Sequence, residues 1–138
     1  AVSLETEPRH HLSHSTEVDF SAAAYFTAFF GRLLLERKLP PDVDVLKIEI
    51  PCDATPATSW ATTRLSHLRY FEPKAPDRNS WEVPARVGYQ ISTDLERDDP
   101  DTDVYAVRVQ RVVSVTPISL DMTSRIQLSD FDCLLREG

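Results

Sequence analysis

Apolar and polar side chains alternate between residues 81 and 92, and this is the clearest periodic pattern in the chain. An alternation of period two predicts a β-strand with one buried and one solvated face. Pro84 has no N–H to donate, so we place this strand at the edge of a sheet or let it begin at that residue. The apolar positions are Trp81, Val83, Ala85, Val87, Tyr89 and Ile91.

Three more segments have the composition of strands. Residues 43 to 50 predict a first strand with a bulge, and residues 60 to 71 predict a second. Residues 104 to 118 predict a strand whose alternation is broken at Arg111. The segment from 93 to 103 is an acidic turn, so we expect the strands on either side of it to form one long hairpin.

A long helix is predicted between residues 16 and 38. Thr16 and Asp19 have the spacing of a capping box, and two prolines at 40 and 41 prevent continuation beyond the end. The apolar positions cover more than one face, so we expect the helix to be wrapped on more than one side. The segment from 125 to 135 fits either a strand followed by a short helix or one bulged strand.

Residues 1 to 15 are polar and show no period, which predicts an extended N-terminal arm before a single domain from 16 to 138. We expect a neighbouring chain to hold this arm, with packing along its own sheet as the alternative. The fold class that follows is α+β. It places one long N-terminal helix on a curved, mostly antiparallel sheet of four to five strands, preceded by the arm.

Composition excludes several classes of function. The chain has 138 residues and a net charge of −7, so it lacks the positive field that favours nucleic-acid binding. Its three glycines are too far apart for a dinucleotide-binding turn, a phosphate-binding loop or a nucleophile elbow. No apolar run is long enough to span a membrane, and we expect a soluble protein with no cofactor and no metal site.

Charged residues and histidines suggest contacts between copies of the chain. The arm contains three histidines, the acidic turn contains three alternating aspartates, and two arginines lie on polar faces of the predicted hairpin. Guanidinium groups bind carboxylates in a bidentate manner, so the arginines of one copy could receive the acidic turn of another. The predicted interface residues are His10, His11, His14, Arg86, Arg108, Asp99, Asp101 and Asp103.

Aromatic side chains suggest a second kind of site, a small-ligand pocket between the helix and the sheet. A histidine in the second predicted strand could serve as its polar group. The candidate pocket residues are Tyr25, Phe29, Trp60, His67, Trp81 and Tyr89. No arrangement of residues in the sequence identifies a catalytic group.

Our first hypothesis is therefore a non-catalytic structural subunit of a homo-oligomer, such as a component of a virus or phage particle. Its partners would be other copies of itself or neighbouring subunits, with no nucleic acid and no membrane. The alternative is a small-ligand-binding protein or enzyme of hotdog or NTF2-like architecture, because those groups share this order of elements. A third hypothesis is an inhibitor or immunity protein that offers its acidic turn to a basic partner.

Overall fold

A mixed four-stranded sheet organises the chain in the computed structural model, which describes residues 1–11, 15–92 and 94–136. Its strands lie in the order β1-β2-β6-β3. The inner pair, β2 and β6, is antiparallel, whereas β1 runs parallel to β2 and β3 runs parallel to β6. The strands in chain order are β1 (Val2–Leu4), β2 (Val45–Ile50), β3 (Trp60–Thr62), β4 (Phe71–Lys74), β5 (Gly88–Ile91) and β6 (Val113–Ile118).

Helix α1 (Ser21–Glu36) covers one face of the sheet. Its buried side chains are Ala22, Phe26 and Phe30, and their spacing of four residues places them on a single stripe. A carboxylate oxygen of Asp19 accepts a hydrogen bond of 2.8 Å from the backbone N–H of Ser21, at the start of the helix. The core formed on this side comprises Ala22, Phe26, Phe30, Ile48, Ile50, Val113 and Val115.

A short helical segment lies beside the face of β2 that carries the charged residues of that strand. It begins as α2 (Asp103–Tyr105) and continues as a π-helical turn (Ala106–Gln110). The Thr102 side chain accepts a hydrogen bond from the N–H of Tyr105, which is the contact expected of an N-cap. Arg111 then adopts the left-handed conformation, with φ of 56°, and redirects the chain into β6.

The central strand β6 has both faces buried. Val113 and Val115 point into the core, and Ser114 and Thr116 lie on the other face. The hydroxyl of Thr63 is 2.8 Å from each of the hydroxyls of Ser114 and Thr116. Buried hydroxyls that are hydrogen-bonded to each other avoid the cost of desolvation without a partner.

Two elements lie outside this sheet. Strands β4 and β5 pair only with each other, as an antiparallel hairpin, among the strands that the structure describes. Helix α3 (Leu128–Arg136) has no buried residue in its described part. In the described ranges, no helix has the length and apolar character required to cross a membrane.

The predicted fold class is wrong. The sheet is mixed, not mostly antiparallel, and the described residues form three α-helices where one dominant N-terminal helix was expected. Helix α1 has 16 residues and begins at Ser21 instead of near Thr16. The polar arm is not extended away from the domain, because β1 is hydrogen-bonded to β2 along Val2–Leu4. The division into an arm and one domain stays a prediction.

The prediction of one long hairpin is also wrong. Only Gly88–Ile91 of the alternating segment is a strand, and Trp81 is 88% exposed. No residue from 81 to 92 is buried, so the apolar side chains of this segment do not form the buried face that was predicted. Residues 103 to 110 are helical despite their β-branched composition, because Thr102 caps the first turn and the buried residues Asp103, Ala106 and Val107 have the i, i+3, i+4 spacing of one helix face.

Replacing Phe26 by alanine should lower the free energy of unfolding by about 3–5 kcal/mol, because its ring is only 2% exposed and its loss leaves a cavity. The control is Leu35→Ala on the same helix, where the side chain is 91% exposed and the change should stay within about 0.5 kcal/mol. Urea denaturation of the three proteins measures both values. Equal stability of the two variants would contradict the assignment of this core.

Candidate functional site

A cleft of about 240 Å³ lies between β1, β2, the β4–β5 hairpin and the α2 segment. Its lining is mostly apolar, but charged side chains enter it from the strands and from α2. The lining residues are Ser3, Leu4, Glu5, Thr6, His11, Glu49, Ile50, Tyr70, Phe71, Ile91, Asp103, Val104, Val107 and Arg108. This combination of apolar walls and few polar groups is typical of a site for a small ligand.

The carboxylate of Glu5 is the centre of the first charged cluster. It accepts hydrogen bonds from the guanidinium groups of Arg108 and Arg111, the latter at 2.9 Å, and from the backbone N–H of Cys52 at 3.0 Å. Arg111 also binds the carboxylate of Asp53. The side chain of Glu5 is only 10% exposed, so these contacts replace water that burial removes. The cluster ties the end of β1 to the π-helical turn and to the loop after β2.

A second charged cluster forms around Lys47 of β2. Its ammonium group lies 2.6 Å from the carboxylate of Asp103 and 2.8 Å from that of Glu49. Asp103 also accepts hydrogen bonds from the backbone N–H groups of Ser66 and Val104, at 2.8 and 2.9 Å. The contacts of Asp103 therefore join β2, α2 and the loop after β3.

These contacts shift the ionisation of the clustered groups. Burial opposes the charge of Glu5, but the hydrogen bond from Cys52 and the two arginines outweigh it and hold the pKa of this carboxyl below its ordinary value. Burial likewise opposes the charge of Asp103, and the hydrogen bonds from Lys47 and Ser66 lower its pKa in spite of that. For Lys47, burial is outweighed by its two carboxylate partners, which raise its pKa.

Aromatic rings form the wall contributed by the hairpin. Tyr70 and Phe71 meet edge to face with centroids 4.6 Å apart, and Phe71 meets Tyr89 at 5.1 Å. His11 stacks on Tyr89 with an interplanar angle of 8°, and its Nδ1 lies 2.5 Å from the Tyr89 hydroxyl. Burial raises the pKa of Tyr70, and the guanidinium carbon of Arg108 lies 5.9 Å from the centroid of its ring. The rings of this wall therefore pack against one another.

The structure distributes the predicted interface residues over several places. His11, Arg108 and Asp103 line the cleft. Asp99 and Asp101 bind Arg64, at 2.8 and 2.9 Å.

Two more of these residues lie apart from the cleft. Arg86 is exposed, and the Nε2 of His10 lies 3.8 Å from the carboxylate of Glu17. His14 lies outside the described residues. The role of the whole set in contacts between copies of the chain stays a prediction.

The predicted pocket residues do not form one pocket. Tyr25, Phe29 and Trp60 do come together, in a surface groove of about 300 Å³ between α1 and β3. Tyr89 belongs to the aromatic wall of the cleft, and His67 is exposed on the loop after β3. Trp81 lies near the tip of the hairpin, 4.2 Å from the guanidinium carbon of Arg78.

Sequence reasoning missed most of the cleft. Glu5 was placed in a polar arm, although Val2 and Leu4 just before it alternate as in a short strand. Lys47 and Glu49 alternate with isoleucines in β2, and opposite charges on one strand face were an available signal. Nothing in the sequence shows that Asp103 reaches Lys47. Within the described ranges, no three His, Cys, Asp or Glu side chains converge as metal ligands would.

Replacing Glu5 by glutamine should lower the free energy of unfolding at neutral pH by about 1.5–3 kcal/mol, because two arginines lose a charged acceptor. The wild-type stability from this carboxylate is present above the ordinary pKa of 4.5 and is lost as the pH falls through the lowered folded value. The difference between the two proteins should therefore shrink below that pH. Urea denaturation at several pH values tests this.

The control for that measurement is Glu7→Gln, since Glu7 is 69% exposed and pairs only with Arg9 in the described part of the chain. Its unfolding curve should overlay that of the wild type at every pH. A gap between Glu5→Gln and wild type that does not change with pH would contradict the assigned ionisation of Glu5.

The chain is similar to curated proteins described as 5'-nucleotidase SurE. It is 42% identical to the protein of Thermococcus gammatolerans over 135 residues, which cover 97% of this chain and 48% of that protein. It is 38% identical to the protein of Thermococcus kodakarensis over 132 residues, covering 94% and 49%. The protein of Methanocella arvoryzae is 32% identical over 121 residues. No family model matches the chain.

The fold agrees with this similarity. The crystal structure of the SurE protein from Aquifex aeolicus superposes with a TM-score of 0.66 and 19% identity, over 98% of this chain and 50% of that one. The hypothesis of a non-catalytic viral or phage structural subunit is therefore wrong, because the similar proteins are named as an enzyme. The chain has a SurE-like fold and spans about half the length of the curated 5'-nucleotidases that it matches.

Proposed function

We propose that this chain is part of a 5'-nucleotidase, an enzyme that releases phosphate from nucleoside 5'-monophosphates. The observation that carries the proposal is the 42% identity with a protein of that name over 97% of the chain. Because the chain spans only about half of that relative, we assign it part of the catalytic unit and not the whole. The SurE-like fold supports the same assignment.

The proposed reaction is the hydrolysis of a phosphate monoester. The oxygen of a water molecule bonds to phosphorus, the bond between phosphorus and the 5' oxygen breaks, and a proton from the water passes to the leaving oxygen. The products are a nucleoside and inorganic phosphate. Catalysis of phosphoryl transfer depends mainly on positioning and on electrostatic stabilisation, so a rigid binding surface contributes directly to the rate.

The cleft supplies such a surface. Glu5 holds the end of β1 to the π-helical turn, and Asp103 holds α2 to Lys47 on β2. Each buried carboxylate is neutralised by at least one cation, so the walls do not depend on a ligand for their charge balance. The aromatic ring of Phe71 then faces a cleft whose opposite wall is fixed. We assign the chain the task of positioning the substrate.

The proposed activity is tested on the complete catalytic unit of which this chain is a part, by incubating it with a nucleoside 5'-monophosphate and measuring inorganic phosphate and nucleoside in the same samples. Equal amounts of the two products are expected. Asp103→Asn should lower kcat/KM roughly 10-fold or more, because the wall loses its charged contact with Lys47 and the substrate is misplaced. The matched control is Asp132→Asn on α3, where the aspartate is exposed and pairs with Arg136.

Phosphate release by Asp132→Asn should equal that of the wild type. Both variants are compared at a temperature well below their unfolding midpoints, so that a loss of folded protein is not counted as a loss of rate. A folded wild-type protein that releases no phosphate from any nucleoside 5'-monophosphate would contradict the proposed function. Unchanged kcat/KM in Asp103→Asn would contradict the role assigned to the cleft wall.

A further inference from the structure

We infer that the cleft between β1, β2, the hairpin and α2 binds the nucleobase of the substrate, and not its phosphate. This inference rests on the proposed function, since it names the part of a 5'-nucleotide that this chain would hold. Three observations carry it: the size of the cleft, its aromatic wall and the balance of its charges.

The size of the cleft suits part of a nucleotide. Its volume of about 240 Å³ lies below the range of about 300–1,000 Å³ for pockets that enclose a drug-sized ligand. The walls are mostly apolar and include Ile50 and Val107 opposite the hairpin. A flat heterocycle fills such a space and leaves a sugar and a phosphate outside. The hydrolysed bond would then lie beyond the mouth of the cleft.

The aromatic wall provides a stacking surface. Tyr70, Phe71 and His11 line the cleft, and Tyr89 packs behind His11 and Phe71. Proteins commonly bind unpaired bases by stacking them on Phe, Tyr or His rings, because every base has a flat π-face. Phe71 is 47% exposed, so its ring retains free surface for a ligand.

The charge balance disfavours an anion. Three carboxylates line the cleft, those of Glu5, Glu49 and Asp103, and the cations beside them are already paired with these carboxylates, namely Arg108, Arg111 and Lys47. A phosphate placed there would compete with these carboxylates for cations that are already paired, and it would lose its water in a partly dehydrated site. A neutral base has no such cost. The phosphate of a bound nucleotide is therefore expected to point away from these carboxylates.

Polar groups remain for recognition of a base edge. Within the described part of the chain, the hydrogen bonds of Arg108 use only its Nη1, which leaves Nη2 and Nε as donors. The Oε2 of Glu49 pairs with Lys47, and Oε1 of the same carboxylate has no ion pair among the described residues. A base that presents both a carbonyl oxygen and an N–H group could satisfy this donor and this acceptor together.

Calorimetric titration of the intact protein with a phosphate-free nucleoside tests the inference without any turnover. The informative variant is Phe71→Leu, which keeps apolar volume but removes the ring. Nucleoside affinity should fall roughly 10-fold, in the lower half of the range expected from losing one base-stacking contact, because leucine retains part of the apolar contact. The control is Phe29→Leu in the surface groove beside α1, which should bind the nucleoside as the wild type does.

Hydrolysis provides the second readout. In Phe71→Leu, kcat/KM for a nucleoside 5'-monophosphate should fall by about the same factor as the affinity, while hydrolysis of ribose 5-phosphate should stay within about twofold of wild type, because that substrate has no base to stack. Wild-type hydrolysis with no nucleoside binding, or with affinity unchanged in Phe71→Leu, would overturn the base site alone. Nucleoside binding that depends on Phe71, with no phosphate release, would support the base site and overturn the proposed activity.

Discussion

The bridge from Glu5 to two arginines is the contact on which the cleft depends. Without a charged acceptor at this position, Arg108 would be left partly buried beside β1 with no counterion among the described residues, and Arg111 would keep only the more exposed Asp53. Charges that are removed from water are tolerated only when they are paired. The bridge therefore fixes the end of β1 and the position of the π-helical turn beside it. The left-handed turn at Arg111 places its guanidinium within reach of Glu5, of Asp53 and of the carbonyl oxygen of Val107.

The sequence predicted the strands and the helix that build the core better than it predicted their arrangement. Segments around β2, β6 and α1 were recognised because they are rich in apolar residues, although their periods are interrupted and the bounds of the helix and of β6 were placed too early. The parallel pairing of β1 with β2 is a contact between distant segments, and no local pattern reports it. The segment from 103 to 110 was misassigned because capping by Thr102 and burial of Ala106 override its β-branched composition.

The candidate site was harder to predict for a related reason. Its charged pairs join residues far apart in sequence, such as Lys47 with Asp103, so that each partner alone has the composition of a solvated surface. The aromatic residues gave a partial signal. Tyr25, Phe29 and Trp60 do lie together, but in a groove beside α1 and not in the cleft, and their role in binding a ligand stays a prediction. The sequence shows which residue types are present, but it does not show how close together they lie in the folded chain.

Strand β3, at one border of the described sheet, has only three residues. A long unpaired strand at the border of a sheet is a template onto which another polypeptide can add, and that is a common start of aggregation. With so few free backbone groups at this border, a chain rich in exposed apolar side chains has little opportunity to grow there by edge-to-edge addition. The short border thus protects the fold where its surface composition alone would not.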